Sequence, residues 1–226
     1  MPQFLFTLCF VLAWMTQAAA QETKFTVKIV EAAPPKELSE KVREVLASSS
    51  LTVFDGSGKV FCTIWPVKQL HVEAKAEQVA SGLKYSDLEE TTLIGVVKFP
   101  ETWIDYRKQK IKPGIYTLRY AIQLMDGDHM GTAPYNDFCL LSQVADDTKA
   151  GTMTVEELFE LSTKASPRKH PAIMLMFPNR MPAAAPVIET KAKDHTVVSF
   201  RLPAVAGEQK THLGLSLVIV GVTTAE

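Results

Sequence analysis

The chain has 226 residues, 46% hydrophobic and 22% charged, which supplies ample material for a buried core and argues against intrinsic disorder. Its 24 basic and 25 acidic residues leave a net charge of −1. That balance gives no electrostatic reason to expect nucleic acid or an anionic membrane surface as a partner.

The first twenty residues read as an address. Phe4 to Met15 is an apolar run within the range of a secretory h-region and too short to span a bilayer. Ala18-Ala19-Ala20 then offers a small-x-small cleavage site before Gln21, although Met1-Pro2-Gln3 carries no charged side chain. A retained anchor is the competing account. Cys9 lies in mid-run rather than at a cleavage boundary after small residues, which argues against a lipoprotein. The expectation is a signal peptide over residues 1–20 and one exported domain over residues 21–226, periplasmic or extracellular, with no membrane span after leader removal.

Strand signals dominate the rest. Phe25 to Val30 alternates apolar and polar residues, as a half-buried strand does. Lys36 to Ala47 then sets Leu38, Val42, Val45 and Leu46 on one helical face, with Pro34-Pro35 suited to the entry. Leu51 to Asp55 and Val60 to Trp65 flank the loop Gly56-Ser57-Gly58-Lys59 and predict a hairpin. Thr92 to Phe99 is a further strand. After it, Trp103-Ile104-Asp105-Tyr106-Arg107 has two readings. Exposed, Trp103, Tyr106 and Arg107 make a platform for carbohydrate or peptide; buried, the two aromatics cover the edge of a core.

The next segment is the densest in chemistry. Pro113-Gly114 feeds a strand, Ile115 to Leu124, in which Tyr116, Leu118, Tyr120, Ile122 and Leu124 share one face. The expectation is that this face points into the core, while Arg119 and Gln123 turn toward solvent or a second layer. The strand runs into Met125-Asp126-Gly127-Asp128-His129-Met130-Gly131, where carboxylates, an imidazole and thioethers crowd between glycines. Asp126, Asp128 and a carbonyl suit Ca²⁺, without the later Glu of an EF-hand. Met125, His129 and Met130 suit Cu(I) instead. The simpler account is an ordered connection, with glycines turning the chain and aspartates bonding the loop's own amides.

Asp137 to Leu141 is the next strand, and it carries Cys139. Cys62 and Cys139 form an even pair in an exported chain; a bridge is worth about 4 kcal/mol on the chain-entropy model. Two buried free thiols are the alternative. Thr154 to Thr163 opens with a capping box, Thr154 with Glu157, and buries Leu158, Phe159 and Leu161. Strands over Ala172 to Phe177, Val187 to Lys191, Thr196 to Leu202 and Leu213 to Val222 complete the chain, interrupted by the loop Asn179 to Pro186. His71, His170, His195 and His212 lie at no metal-ligand spacing, which points to surface or capping roles. Folding can still bring His129 to His170 or His195.

The stretches TLIGVVKFPETWIDYRKQKIKPGIYTLRYAIQLMDGDHMGTAPYNDFCLL and LTVFDGSGKVFCTIW resemble a family of exported bacterial proteins to which no activity is assigned, MDGDHMGTAPY being the most distinctive part. The resemblance implies export and lends no catalytic residues.

Strands far outnumber helices, so the expected fold is all-β, a mostly antiparallel β-sandwich with two short helical insertions. No G-x-S-x-G elbow, phosphate loop or zinc motif occurs. The function expected is a non-catalytic binding or structural module of the cell envelope, with an unknown ligand or envelope protein as partner. An envelope metal-binding protein using Met125 to Met130 is the alternative, and a hydrolase the third.

Overall fold

The computed structural model describes residues 25–124, 126–127, 129–191 and 194–225. The expected leader lies outside the described residues. Among the described residues the chain forms thirteen strands and three α-helices, a mostly antiparallel, sandwich-like all-β fold.

In chain order, β1 (Thr26–Glu31), α1 (Glu40–Val45), β2 (Ser49–Phe54), β3 (Val60–Pro66) and β4 (Leu70–Val72) come first. Then follow α2 (Ala76–Ala80), β5 (Leu93–Phe99), β6 (Trp103–Ile104), β7 (Lys110–Ile111), β8 (Gly114–Ile122) and β9 (Asp137–Gln143). The last elements are α3 (Val155–Lys164), β10 (Ala172–Leu175), β11 (Val187–Lys191), β12 (His195–Ala206) and β13 (Gln209–Val220). One sheet runs β1-β2-β3-β5-β8-β9-β10 with antiparallel neighbours throughout. The second runs β11-β12-β13, and β4 joins β12 in parallel at Ala204–Ala206. Strands β6 and β7 form a small separate hairpin.

The two sheets touch where Met176 bridges Leu217 and the Phe177 N–H donates to Ser216 O at 2.9 Å. Leu118, Tyr120, Cys139, Leu141 and Met174 of the first sheet share one apolar cluster with Phe200, Leu215, Leu217 and Ile219 of the second. Fully burying each large apolar side chain stabilises by roughly 1.5–3 kcal/mol, so this cluster fixes which face of every strand turns inward.

Several expected elements shift for identifiable reasons. Helix α1 is shorter than Lys36 to Ala47 because Ser39 caps it, its Oγ accepting from Val42 N at 3.3 Å. Leu46 then turns extended and bridges Val67, which ends the helix. Strand β12 runs past Leu202 through Pro203. On that edge Pro203 falls between the residues paired to β11 and those paired to β4, where a missing N–H is tolerated. Gly207, at φ +57°, closes the two-residue turn from β12 to β13. The segments of α2, β4, β6 and β7 are too short to show a period, and none was expected.

Strand β8 departs most from its expected orientation. Tyr116, Leu118 and Tyr120 point into the core as the alternation demands. Ile122, at the strand end, is 42% exposed, and Arg119 is completely buried. The reason is a second layer: α3 and the segment before it cover the outer face of β8 and β9.

The candidate disulfide is not formed, and the alternative of two buried free thiols is what the fold shows. Cys62 and Cys139 are both free and buried, on β3 and β9. With β5 and β8 between them, three strand spacings put the backbones about 14 Å apart, twice the reach of a bridge. Burial pushes both thiols far above their ordinary pKa.

Candidate functional site

The outer face of the first sheet builds the floor of a pocket. Cross-strand register pairs Ala121 with Phe138, and Leu140 with both Arg119 and Ile173. These residues therefore share one face, opposite to Leu118 and Tyr120. Ala121, Phe138, Leu140 and Ile173 are covered incompletely, leaving a cavity of about 60 Å³ that opens to solvent. Phe159 of α3 forms one wall and Tyr106 of the β6–β7 turn another; Ile122, Leu124, Ala133 and Pro171 extend the apolar lining.

The Tyr106 wall is held by a buried carboxylate. Asp105 Oδ1 accepts the backbone N–H groups of Arg107 at 2.9 Å and Gln109 at 2.8 Å, which folds the β6–β7 turn. Its Oδ2 accepts Gln109 Nε2 at 2.8 Å and the Ile173 N–H at 3.2 Å, which fastens the turn to β10. Burial raises the Asp105 pKa above its ordinary value, although four donors oppose that shift. Lys108 sits at φ +63°, so the turn carries local backbone strain that these bonds hold in place. Tyr106 stacks on His195 with centroids 5.7 Å apart and leans on Phe138 at 6.2 Å.

Polar groups gather at the mouth. Arg107, Gln123, His129, Thr132, His170 and Thr223 border the cavity. Asp126 and His129 are hydrogen-bonded, Oδ1 to Nδ1 at 2.6 Å, and Asp126 Oδ1 also accepts the His129 backbone N–H at 3.1 Å. Gln123 Nε2 donates to His129 O and Thr132 Oγ1, each at 2.7 Å, closing the connection on itself. His170 Nδ1 lies 3.0 Å from Pro171 O, a bond that assigns its proton to Nδ1. The rings of His129 and His170 stand 6.4 Å apart. Burial lowers the His170 pKa, and the nearby positive charges of Arg107 and His129 lower it further. The Arg107 guanidinium has no hydrogen-bond or ion-pair partner among the described residues.

The candidates read from sequence fall into place unevenly. Trp103 is not a platform residue: it is buried, stacks on Phe99 at 4.7 Å with planes 5° apart, and donates from Nε1 to Ile219 O at 2.7 Å. Tyr106 is buried too and faces the cavity, so only Arg107 of that trio is accessible. Of the loop candidates for a metal, Asp126 and His129 meet each other, while Met130 is 66% exposed. Met125 and Asp128 lie outside the described residues. Among the described residues no three His, Cys, Asp or Glu side chains converge as metal ligands do. His195, expected at the surface, is buried between Tyr106 and Phe177.

Sequence reasoning missed the floor. Ala121, Phe138, Leu140 and Ile173 look like ordinary alternating strand residues, and only cross-strand register shows that they share a face. The one available signal was the unusual apolar content of β9 and β10 on both faces. Comparison with family models, curated proteins and solved structures yields no match to this chain.

Proposed function

We propose that this protein is an exported, non-catalytic binding module of the cell envelope that holds a small, mainly apolar molecule in the cavity between β8, β9, β10, α3 and the Tyr106 turn. The observation that carries this reading is the cavity itself. It is small, walled by Tyr106, Phe138 and Phe159, and bordered by a few convergent polar groups, the apolar lining and polar rim of a small-molecule site. Export rests on the apolar run Phe4 to Met15 and the small residues before Gln21.

The test is a titration with N-phenyl-1-naphthylamine, a neutral apolar dye that brightens on leaving water. Saturable brightening is expected, lost when Ala121→Trp fills the floor. A wild-type protein that gives no saturable signal refutes the reading.

The Asp126–His129 couple favours a second reading, an esterase in which His129 acts as a base oriented by Asp126. The nearby hydroxyls do not support a nucleophile there. Thr132 Oγ1 donates to His129 O at 2.7 Å, and Thr223 Oγ1 donates to Thr132 O at 2.5 Å, so each is committed to backbone. Hydrolysis of p-nitrophenyl octanoate that is abolished by His129→Gln would establish this second reading over the first.

A further inference from the structure

We infer that the molecule held in this cavity is an acid: a monocarboxylate whose apolar body lies against Phe138, Phe159 and Ile173 and whose carboxylate is met at the mouth by Arg107. This rests on the binding reading above and adds the chemistry of the head group.

The inference comes from a mismatch of charge. Arg107 borders an apolar cavity, is partly buried, and has no carboxylate partner among the described residues. Most interior-facing arginines are matched, as Arg119 in this same molecule is, by Asp147. Two imidazoles, His129 and His170, border the same mouth, and Lys108, Arg168 and Lys169 follow or precede these residues on exposed stretches of the two loops. Asp126 is already bonded to His129, and Glu90, whose Oε1 accepts the backbone N–H of the lining residue Ile122 at 3.1 Å, makes no ion pair with Arg107. On a chain of net charge −1, this is a local excess of positive charge set over an apolar hole.

A planar guanidinium fork matches a carboxylate in two-point geometry better than it matches a neutral hydroxyl. Both imidazoles have their Nδ1 occupied within the protein, and Nε2 of each has no partner among the described residues. With Nδ1 as the donor, each Nε2 is an acceptor in the neutral ring and donates to a carboxylate only when the ring takes a second proton, so Arg107 is the donor that needs no ring protonation. A cavity of about 60 Å³ excludes a two-tailed lipid and receives one end of a single chain, so the class is a free single-chain acid.

The experiment compares three probes of equal apolar body, octanoate, octanol and octylamine, by calorimetric titration and by displacement of the naphthylamine dye. Octanoate is expected to bind on the order of tenfold more tightly than octanol, with octylamine weakest, and to weaken as salt is added. Arg107→Gln should remove most of the octanoate advantage, lowering octanoate affinity far more than octanol or dye affinity. Dye binding with no preference for octanoate, or a preference that persists in Arg107→Gln, overturns the head-group inference while the cavity reading stands. Absence of all binding, with the fold intact by circular dichroism, overturns both.

Discussion

Arg119 and Asp147 meet in a two-point pair, Nε to Oδ2 at 2.6 Å and Nη2 to Oδ1 at 2.9 Å, with neither side chain reaching solvent. The remaining guanidinium protons are all used as well. Nη1 donates to Thr91 O and Gly151 O, each at 2.9 Å, and Nη2 to Lys149 O at 2.5 Å. Thr117 Oγ1 adds a bond to Asp147 Oδ2 at 2.6 Å. Complete satisfaction of this kind is what makes a buried charge tolerable. It also ties the segment over residues 144–154 to β8, and that segment leads directly into α3, which carries the Phe159 wall of the cavity.

Breaking one side of that pair should be far worse than removing both. Asp147→Ala leaves a buried guanidinium without its counter-charge, and a loss of about 3–5 kcal/mol in urea unfolding is expected. The double variant Arg119→Met with Asp147→Leu should be more stable than Asp147→Ala alone, since an apolar pair of similar bulk has no orphaned charge. If the single and double variants lose stability equally, the pair is not acting as a charge-balanced unit.

The cysteines give a chemical readout of the core. Burial disfavours the thiolate of Cys62 and Cys139, and the thiolate is the reactive form. Neither should be alkylated by iodoacetamide in the native protein, and both should be alkylated after unfolding in guanidinium, as read by peptide mass mapping. Recovery of a Cys62–Cys139 cross-linked peptide would require a backbone rearrangement of the whole sheet.

Much of the fold was legible because its strands obey a period of two. Tyr116, Leu118 and Tyr120 could be assigned inward from that alternation alone, and Thr154 with Glu157 marked a helix start that is observed, Thr154 Oγ1 accepting from Glu157 N at 3.1 Å. Arg119 could not be assigned in the same way. An arginine on a polar-patterned strand face looks solvated unless its partner is known, and Asp147 lies 28 positions away in a segment with no regular pattern. The cavity was illegible for a related reason. Tyr106, Ala121, Phe138, Phe159 and His170 come from five separate segments, and only strand register and the Asp105 bonds bring them together.

Asp105 offers a test of how the Tyr106 wall is held. Asp105→Asn keeps the shape but turns one acceptor into a donor facing Gln109 Nε2 and the Ile173 N–H, so two bonds are lost and two donors confront each other. A cost of about 1–3 kcal/mol is expected. The pH sign follows from its raised pKa. The wild-type carboxyl stabilises the fold most when protonated, below its ordinary value of 3.8, and that contribution is lost as pH rises through the higher folded value. Asp105→Asn removes this acid-side gain, so stability should fall more steeply with falling pH than in the wild type. Dye affinity should fall along with stability if the turn positions Tyr106.

His170 carries the pH dependence of the site. Its folded pKa lies below the ordinary 6.5, first because it is partly buried and then because Arg107 and His129 face it, with Pro171 O bonded to its Nδ1 in partial opposition. On stability the sign is fixed: the unfolded chain takes the proton first, so His170 contributes fully above 6.5 and its contribution is lost as pH falls through the folded value. On binding the sign reverses. A carboxylate at the mouth favours the imidazolium, so uptake of octanoate should be coupled to uptake of a proton at His170. Affinity should rise as pH is lowered from about 7.5 toward about 5.5, then fall once the ligand's own carboxyl is protonated near the usual carboxyl range. His170→Gln should reduce that slope and change octanoate affinity far more than octanol affinity. A slope of the opposite sign in the wild type, or one untouched by His170→Gln, shows that the imidazole does not face the bound acid.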